Sequence, residues 1–330
     1  MSTIRTQSCI GAVVIGRNEG ERLRTCLHSL VGQVESLVYV DSGSTDNSLQ
    51  IADEFGVTVI NLDLAIPFTA ARARNEGFNA LMKKKLNIDF VQFVDGDCEV
   101  SAGWVDAAMQ CMRENNRLAV VCGRRRERYP ERSIYNLLCD IEWDTPLGEA
   151  MACGGDALIR AEALLQVDAY DATLIAGEEP EMCLRLRREG WKVARIDAEM
   201  TWHDADMMRF SQWWKRALRA GHAYAEGAWM HGSTPEQHWV REVRSNWFWG
   251  LSFIALVLIA AVWPIAAWLL MIYPVQMIRI YHHSCLHRSR SERRLFACFC
   301  VLAKLPLMLG QIKFHLSRMS GNKSRLIEYK

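Results

Sequence analysis

Residues 10–94 alternate short β-rich runs with helical segments, and this alternation constrains the fold more than any other feature of the sequence. The β-rich runs cover residues 10–16, 36–41, 57–62 and 90–94. The segments between them, which show helical spacing or helix start signals, are 19–31, 47–55 and 70–85. Strands separated by helices indicate a parallel sheet with helices on its faces. We therefore predict an α/β fold with a mostly parallel central sheet.

Candidate ligand groups follow three of these runs. They are Gly16, Asn18 and Glu19 after the first run, Asp41 after the second, and Asp95, Gly96 and Asp97 after the fourth. Ligands of parallel sheets bind beyond the carboxyl ends of the strands, so these residues are expected at one edge. Two carboxylates separated by one glycine suit Mg²⁺ or Mn²⁺, which complete their shells with water and substrate phosphates. Taken alone, Asp-Gly-Asp is more often a solvated turn after a core strand.

Several classes of protein are disfavoured by the sequence. No Gly-x-Gly-x-x-Gly follows the first run and no Gly-Lys-Ser/Thr phosphate loop is present, which disfavours classical dehydrogenases and P-loop nucleotidases. Residues 279–330 carry 11 Lys+Arg against 2 Asp+Glu, so residues 1–278 have a net charge of −8. An acidic body argues against nucleic acid as a partner, and a basic tail fits anionic lipid. The start shows no secretory signal, and 11 cysteines without paired Cys-x-x-Cys units are expected to be reduced cytosolic thiols.

Residues 245–278 contain no charged residue, and they predict a membrane region. This segment is longer than the roughly 20 residues that one spanning helix needs, and Pro264 divides it. We expect a helical hairpin over about 247–280, followed by a basic cytoplasmic loop. A cytoplasmic body then requires an even number of crossings. The next apolar stretch, 295–312, contains Lys304 and Pro306, so an interfacial amphipathic helix over about 295–316 is expected, with burial in a soluble domain as the alternative.

Four ordered motifs resemble family-2 glycosyltransferases, which are inverting enzymes with the GT-A fold. They are VVIGRNE at 13–19, VDSGSTD at 40–46, ARNEG at 73–77 and DGD at 95–97. A later signature of the family also appears in GEEPE at 177–181, LRLRREGW at 184–191 and HD at 203–204. The resemblance covers roughly residues 10–225. It implies a catalytic domain over 1–230, followed by a membrane region over 231–330.

The resemblance also implies roles for individual residues. The donor would be bound by Gly16, Asn18, Glu19, Asp41, Arg74, Asp95 and Gly96. Within this set, Asp41 would contact the nucleotide base and Arg74 the base or a phosphate. The metal would be held by Asp97 and Asp95, with His203 as the C-terminal ligand. The loop at 152–157 matches the acceptor side of the family, where Asp156 would hold the donor sugar or the acceptor; a simple turn is the alternative.

Glutamates at 178, 179 and 181 form an acidic cluster that supplies the candidate bases. Glu179 stands where the family has its acceptor base, and Glu178 is the alternative. Like charges packed this closely raise at least one pKa, which suits a general base. Glu181 is instead expected to interact favourably with the helix dipole.

The sequence departs from the family pattern in two places. Ser42 replaces the second acid after the second strand, which leaves base recognition to Asp41. The Gln-x-x-Arg-Trp signature of processive members is absent, since 212–216 reads QWWKR, and this argues for addition of a single sugar.

Two cationic segments have an ordinary and a functional interpretation. The RRR run at 124–126 is expected to be a solvated face, and contact with an acceptor phosphate or lipid is the alternative. Residues 210–229 are expected at the membrane interface, where Arg216 or Arg219 could also clamp the donor diphosphate.

Together these features predict a membrane-anchored, metal-dependent enzyme that moves one sugar from a nucleotide-sugar, taken as a UDP-sugar, to a lipid-linked or cell-envelope glycan. It would act at the cytoplasmic face of the inner membrane. A nucleotidyltransferase of similar fold and a non-catalytic membrane scaffold are the alternatives.

Overall fold

The computed structural model describes residues 8–84 and 87–321 and divides the chain into two compact units. The first contains residues 1–128 and 143–205, and the second contains 129–142 and 206–330. This division at residue 205 precedes the proposed domain boundary at 230 by one helix.

The first unit contains a nine-stranded mixed sheet. Its strands are β1 (Ile10–Gly16), β2 (Ser36–Asp41), β3 (Thr58–Asn61), β4 (Phe90–Asp95), β5 (Cys98–Val100), β6 (Leu118–Glu127), β7 (Gly148–Ala150), β8 (Ala157–Arg160) and β9 (Lys192–His203). Their order is β3-β2-β1-β4-β8-β6-β9-β5, with β7 paired to β9. The first four strands are parallel, whereas β8 is antiparallel to both of its neighbours. The predicted α/β fold with a mostly parallel core is confirmed.

Twelve α-helices are assigned within the described residues. They are α1 (Glu21–Leu30), α2 (Ser48–Glu54), α3 (Ala70–Lys83), α4 (Trp104–Glu114), α5 (Ile134–Glu142), α6 (Ala161–Gln166), α7 (Glu178–Arg188), α8 (Phe210–His231), α9 (Val240–Val262), α10 (Ile272–His283), α11 (Arg290–Leu302) and α12 (Lys304–Met319). The predicted helices agree with these to within a few residues. The predicted end of the third helix, Lys85, lies outside the described residues.

Helix α3 shows how the local sequence sets an element that later carries a site residue. Thr69 caps its N-terminus by accepting a hydrogen bond from the backbone N–H of Arg72 at 3.1 Å. Gly77 faces the sheet, where an added Cβ would lie 2.3 Å from Cγ1 of Val13 and 2.9 Å from Cγ2 of Val40. The glycine therefore lets the helix approach strands β1 and β2 closely.

The second unit contains three helical segments long and apolar enough to cross a membrane. By length and composition they are Val240–Val262, Pro264–His283 and Arg290–Met319. The first two correspond to the predicted hairpin, with the break at Trp263 and Pro264. The third contains α11 and α12 and covers the segment predicted to lie in the interface, so the number of crossings stays a prediction.

We predict that Gly77→Ala lowers the free energy of unfolding by about 1–3 kcal/mol, because overpacking outweighs the gain in helix propensity. Denaturant or thermal unfolding followed by circular dichroism measures the change. Asn79→Ala, on the exposed side of the same helix, is the matched control and should be close to neutral. A Gly77→Ala protein as stable as the parent would contradict the tight packing of α3 on the sheet.

Candidate active site

The strand register brings the predicted ligand groups to one edge of the sheet. Gly16 pairs with Asp41 across β1 and β2, and Ile15 pairs with Asp95 across β1 and β4. Gly96 follows in a crowded place, where an added Cβ would lie 3.1 Å from both Cγ of Glu19 and the carbonyl oxygen of Ile15. The three strand ends are therefore immediate neighbours, as parallel pairing requires.

The loops after β1 and β2 are hydrogen-bonded to each other. Asn18 has a left-handed backbone with φ of 58°. Its Oδ1 accepts from the backbone N–H of Thr45 at 2.7 Å, and its own N–H donates to Oγ of Ser44 at 2.9 Å. The backbone N–H of Glu19 donates to Oγ of Ser48 at 3.1 Å. These bonds hold the two loops in one fixed arrangement.

The Asp41 carboxylate holds its own turn together. It accepts from the hydroxyls of Tyr39 and Ser44 at 2.9 and 2.5 Å, and from the N–H groups of Gly43 and Ser44 at 2.9 and 2.8 Å. The residue is only 2% exposed. A nucleotide base that reached Asp41 would therefore compete with bonds that shape the loop.

Arg74 is the buried cation that connects two sets of carboxylates. Its Nη2 lies 3.0 Å from Oδ1 of Asp95, and its Nη1 lies 2.8 Å from Oε1 of Glu178 and 3.2 Å from Oε1 of Glu179. Burial alone would lower the pKa of Arg74, but the charges of Glu179, Asp95 and Glu178 raise it well above its usual value. The guanidinium therefore stays charged and joins the end of β4 to the start of α7.

Asp95 is also held by Arg125 and Asp156. Nη2 of Arg125 lies 3.3 Å from Oδ2 of Asp95, and its Nε lies 3.5 Å from Oδ2 of Asp156. Asp156 is fully buried and accepts from the backbone N–H of Asp95 at 3.0 Å and from the hydroxyl of Thr201 at 2.7 Å. In this position Asp156 supports Asp95 and Arg125.

Asp97 and His203 form a second pair of candidate ligands. Nε2 of His203 lies 3.2 Å from Oδ2 of Asp97, and its Nδ1 lies 3.6 Å from Oε2 of the buried Glu127. Burial lowers the pKa of His203, and Arg125 lowers it further, while Glu127 acts in the opposite direction. A neutral imidazole beside a carboxylate is a donor set that fits Mn²⁺ or Mg²⁺.

Asp95 lies in a neighbouring cluster instead. One group of possible ligand atoms combines Asp97, Cys98 and His203, and the other combines Asp95, Cys98 and Asp156. In each group the atoms lie within 4.8 Å of one another. Cys98 is common to both, but burial raises the pKa of its thiol, so the oxygen and imidazole donors suit a hard cation better. Of the predicted ligands, Asp97 and His203 thus lie in one cluster, and Asp95 lies in the neighbouring one.

The glutamate cluster begins helix α7. Gly177, with φ of 82°, turns the chain so that Glu178, Glu179 and Glu181 occupy the first helical turn. Glu181 pairs with Arg185 at 2.7 Å one turn later, so its carboxylate has a partner within the helix. Burial raises the pKa of Glu179 to about 7, with the charge of Glu178 adding and Arg74 opposing. Glu179 is also the more exposed of the pair that contacts Arg74.

Sequence reasoning missed Arg125 and Glu127, which lie on strand β6. The run at 124–126 was expected to be a solvated face; Arg126, half-exposed and paired with Glu199 at 2.6 Å, fits that expectation, whereas Arg124 is buried. Arg125 does not fit it either, because it points into the site and lies over the ring of Trp143 at 4.9 Å. The available signal was the two-residue period of a strand, which puts 125 and 127 on one face.

Arg216 and Arg219, predicted as possible clamps for the diphosphate, belong to the second unit. Arg216 forms an ion pair there with Glu142 at 2.5 Å. That contact accounts for the charge of Arg216 without a donor.

We predict that Gly155→Ala disrupts the site, because an added Cβ would lie 2.6 Å from Nη2 of Arg74 and 2.8 Å from Oδ2 of Asp95. Turnover should fall by about tenfold or more, since small displacements of positioned groups are costly. Gly154→Ala is the matched control, because an added Cβ there meets nothing within 4 Å. Equal activity of the two variants in a donor-hydrolysis assay would contradict the crowding of Arg74 and Asp95 around residue 155.

Comparison with known proteins agrees with this architecture. Residues 12–166 match the family described as glycosyl transferase family 2. The solved mannosyltransferase PcManGT from Pyrobaculum calidifontis, in complex with GDP-Man and Mn²⁺, is similar with a TM-score of 0.67 at 15% identity, over 95% of this chain and 89% of that chain. A glucosyl-3-phosphoglycerate synthase from Mycobacterium tuberculosis has a TM-score of 0.45 at 18% identity, over 67% of this chain and 79% of that chain.

A curated relative shares part of the chain. A TPR repeat-containing protein of Synechococcus elongatus is 32% identical over 102 residues, which is 31% of this chain and 24% of that protein. The chain thus matches only about a quarter of the relative's length. Residues 12–166, slightly under half of the chain, thus resemble family 2 glycosyltransferases, and the arrangement of the sheet agrees with a GT-A fold.

Proposed function

We propose that the protein transfers one sugar, with inversion, from a nucleotide-sugar to a lipid-linked or cell-envelope glycan at the cytoplasmic face of the inner membrane. The observation that carries the proposal is the contact of one buried arginine, Arg74, with both the strand-end Asp95 and the glutamates at 178 and 179. The donor-side acids and the candidate base thereby belong to a single site, as sugar transfer requires.

The donor side would be formed by the strand-end residues. Gly16, Asn18 and Glu19 form one wall, Asp41 shapes the adjoining turn, and Gly96 gives the phosphates close access. Asp97 and His203, with Asp95 beside them, would hold Mn²⁺ or Mg²⁺. A divalent cation bound there would supply positive charge for the leaving nucleoside diphosphate.

The acceptor side would use Glu179 as general base. A carboxylate with a pKa of about 7 can take the proton of the acceptor hydroxyl near neutral pH. The acceptor oxygen then bonds to the anomeric carbon while the bond from that carbon to the diphosphate oxygen breaks. Glu178 is less suited, because it is almost completely buried against Arg74. Inversion follows if the attacking and leaving oxygens lie in line.

We infer the nature of the donor from a similar solved protein, and that of the acceptor from the apolar helices of the chain. The similar mannosyltransferase was solved with GDP-Man and Mn²⁺, which supports a nucleotide-sugar and a divalent cation here, so a GDP-sugar should be tested beside a UDP-sugar. Three helical segments long enough to span a membrane support a membrane-associated acceptor. The absence of the processive Gln-x-x-Arg-Trp signature, with QWWKR at 212–216, supports transfer of a single sugar.

Two other functions would give different products. A nucleotidyltransferase would release pyrophosphate from a nucleoside triphosphate, whereas the proposed enzyme releases a nucleoside diphosphate. A non-catalytic scaffold would release neither. Analysis of the products after incubation with manganese and a panel of nucleotide-sugars separates all three.

We expect Asp97→Ala to reduce donor hydrolysis and transfer by about 100-fold or more, because a fixed oxygen ligand is lost. Purified donor, Mn²⁺ and release of nucleoside diphosphate form the assay. Asp106→Ala, which removes an exposed acid at the start of α4, should retain normal activity and melting temperature. Normal turnover by Asp97→Ala would remove the assignment of this residue to the metal.

We expect Glu179→Gln to retain donor affinity but to reduce transfer by about 100-fold to 10,000-fold, since only the proton acceptor is lost. Calorimetry with Mn²⁺ and the donor measures affinity, and product formation measures transfer. Glu178→Gln should instead weaken the buried contact with Arg74 and lower the melting temperature. If Glu178→Gln selectively loses transfer and Glu179→Gln does not, the base is Glu178.

A further inference from the structure

Lys304 is a cation of the second unit that has only neutral hydrogen-bonding partners. Its half-buried Nζ donates to Oγ of Ser245 at 3.1 Å and to Oδ1 of Asn246 at 2.9 Å. Among the described residues it forms no ion pair, although the charge of Glu242, in the first turn of α9, acts on it from a greater distance. A cation held among apolar helices with no carboxylate in direct contact is costly, so such a site favours an anionic ligand.

Asn246 adds a second donor that lacks an acceptor. The residue is 1% exposed, and its Nδ2 has no hydrogen-bond partner. Because its Oδ1 already accepts from Lys304, the Nδ2 group lies close to the ammonium group. A buried donor without an acceptor costs free energy, and the two donors together match the oxygens of a phosphate group.

The helices that carry these donors pack closely one turn further along. An added Cβ on Gly250, four residues after Asn246, would lie 2.6 Å from Sδ of Met308, four residues after Lys304. A crossing of this kind leaves little freedom between α9 and α12. The relative positions of Lys304 and Asn246 are therefore fixed by the fold, as a binding site requires.

Lys304 contacts Ser245, which is the first residue of the uncharged segment 245–278. Ser245 begins residues 245–278, which contain no charged residue, so a chain that enters the bilayer through α9 places Ser245 near the lipid headgroups. Phosphates of anionic lipids occupy that level, and the surplus of cations in residues 279–330 adds to their attraction.

We propose that Lys304 and Asn246 bind the phosphate group of an anionic membrane lipid. The inference rests on the membrane association proposed above, and it adds a specific lipid site to it. It also explains why a lysine is found within an otherwise apolar helical segment.

The test uses the full-length protein in a neutral detergent, where no charged membrane surface contributes. Titration with short-chain phosphatidic acid should raise the melting temperature of the parent protein, because a ligand that binds only the folded state stabilises it. Lys304→Met should lose this shift. Lys313→Met removes an exposed cation of the same helix and should keep the shift in full.

Asn246→Asp provides a second variant that does not depend on loss of the lysine. The new carboxylate would pair with Lys304 within the protein, so the fold should persist while the lipid-dependent shift disappears. Equal shifts for the parent, Lys304→Met and Asn246→Asp would overturn the inference. An equal shift with inorganic phosphate would overturn the assignment to a lipid.

Failure of this site is separable from failure of the proposed function. Flotation with neutral phosphatidylcholine vesicles tests membrane association, and release of nucleoside diphosphate tests the enzyme. A parent protein that passes both tests but shows no shift with phosphatidic acid overturns the lipid site alone.

Discussion

The buried guanidinium of Arg74 is the interaction on which the candidate site depends. Three carboxylates converge on it, and they come from strand β4 and helix α7, up to 105 residues away in sequence. Without the cation, these acids would repel one another in a place that water hardly reaches. Removal of one partner from a buried charge network leaves the others uncompensated, which is strongly destabilising. The arginine therefore keeps the donor edge and the glutamate pair in one structure.

The same charges set the chemistry of the two glutamates apart. Glu178 is almost fully buried against Arg74, whereas Glu179 is more exposed and has a pKa raised to about 7 by burial and by its neighbour. Two adjacent, chemically identical side chains thus acquire different properties from their surroundings. A carboxyl with a raised pKa in such a cluster is typical of a general base. In the second unit the surroundings of Lys304 differ from those of Arg74, because both of its hydrogen-bonding partners are neutral.

Much of the first unit could be predicted from the sequence. Hydrophobic runs and the residues that end them placed Asp41 and Asp95 at one edge of the sheet, and the structure has them at the ends of the two strands that flank β1. The structural roles were harder to foresee. The carboxylate of Asp41 is occupied by hydrogen bonds within its own turn, and Asp156 is a buried residue that supports its neighbours. Both outcomes depend on hydrogen bonds that only the folded chain forms. The arginine run on β6 was misjudged because composition indicates a charged surface, while the strand period turns Arg125 inward.

The pH dependence of turnover tests most directly whether this cluster of charges prepares a base for catalysis. A carboxyl whose pKa is raised must lose its proton before it can accept another, so the rate should fall as the pH decreases through about 7. With saturating donor and acceptor, kcat should then drop about tenfold for each further pH unit. A rate that stays constant down to pH values near the ordinary glutamate pKa, about 4.3, would contradict the link between the Arg74 cluster and the base.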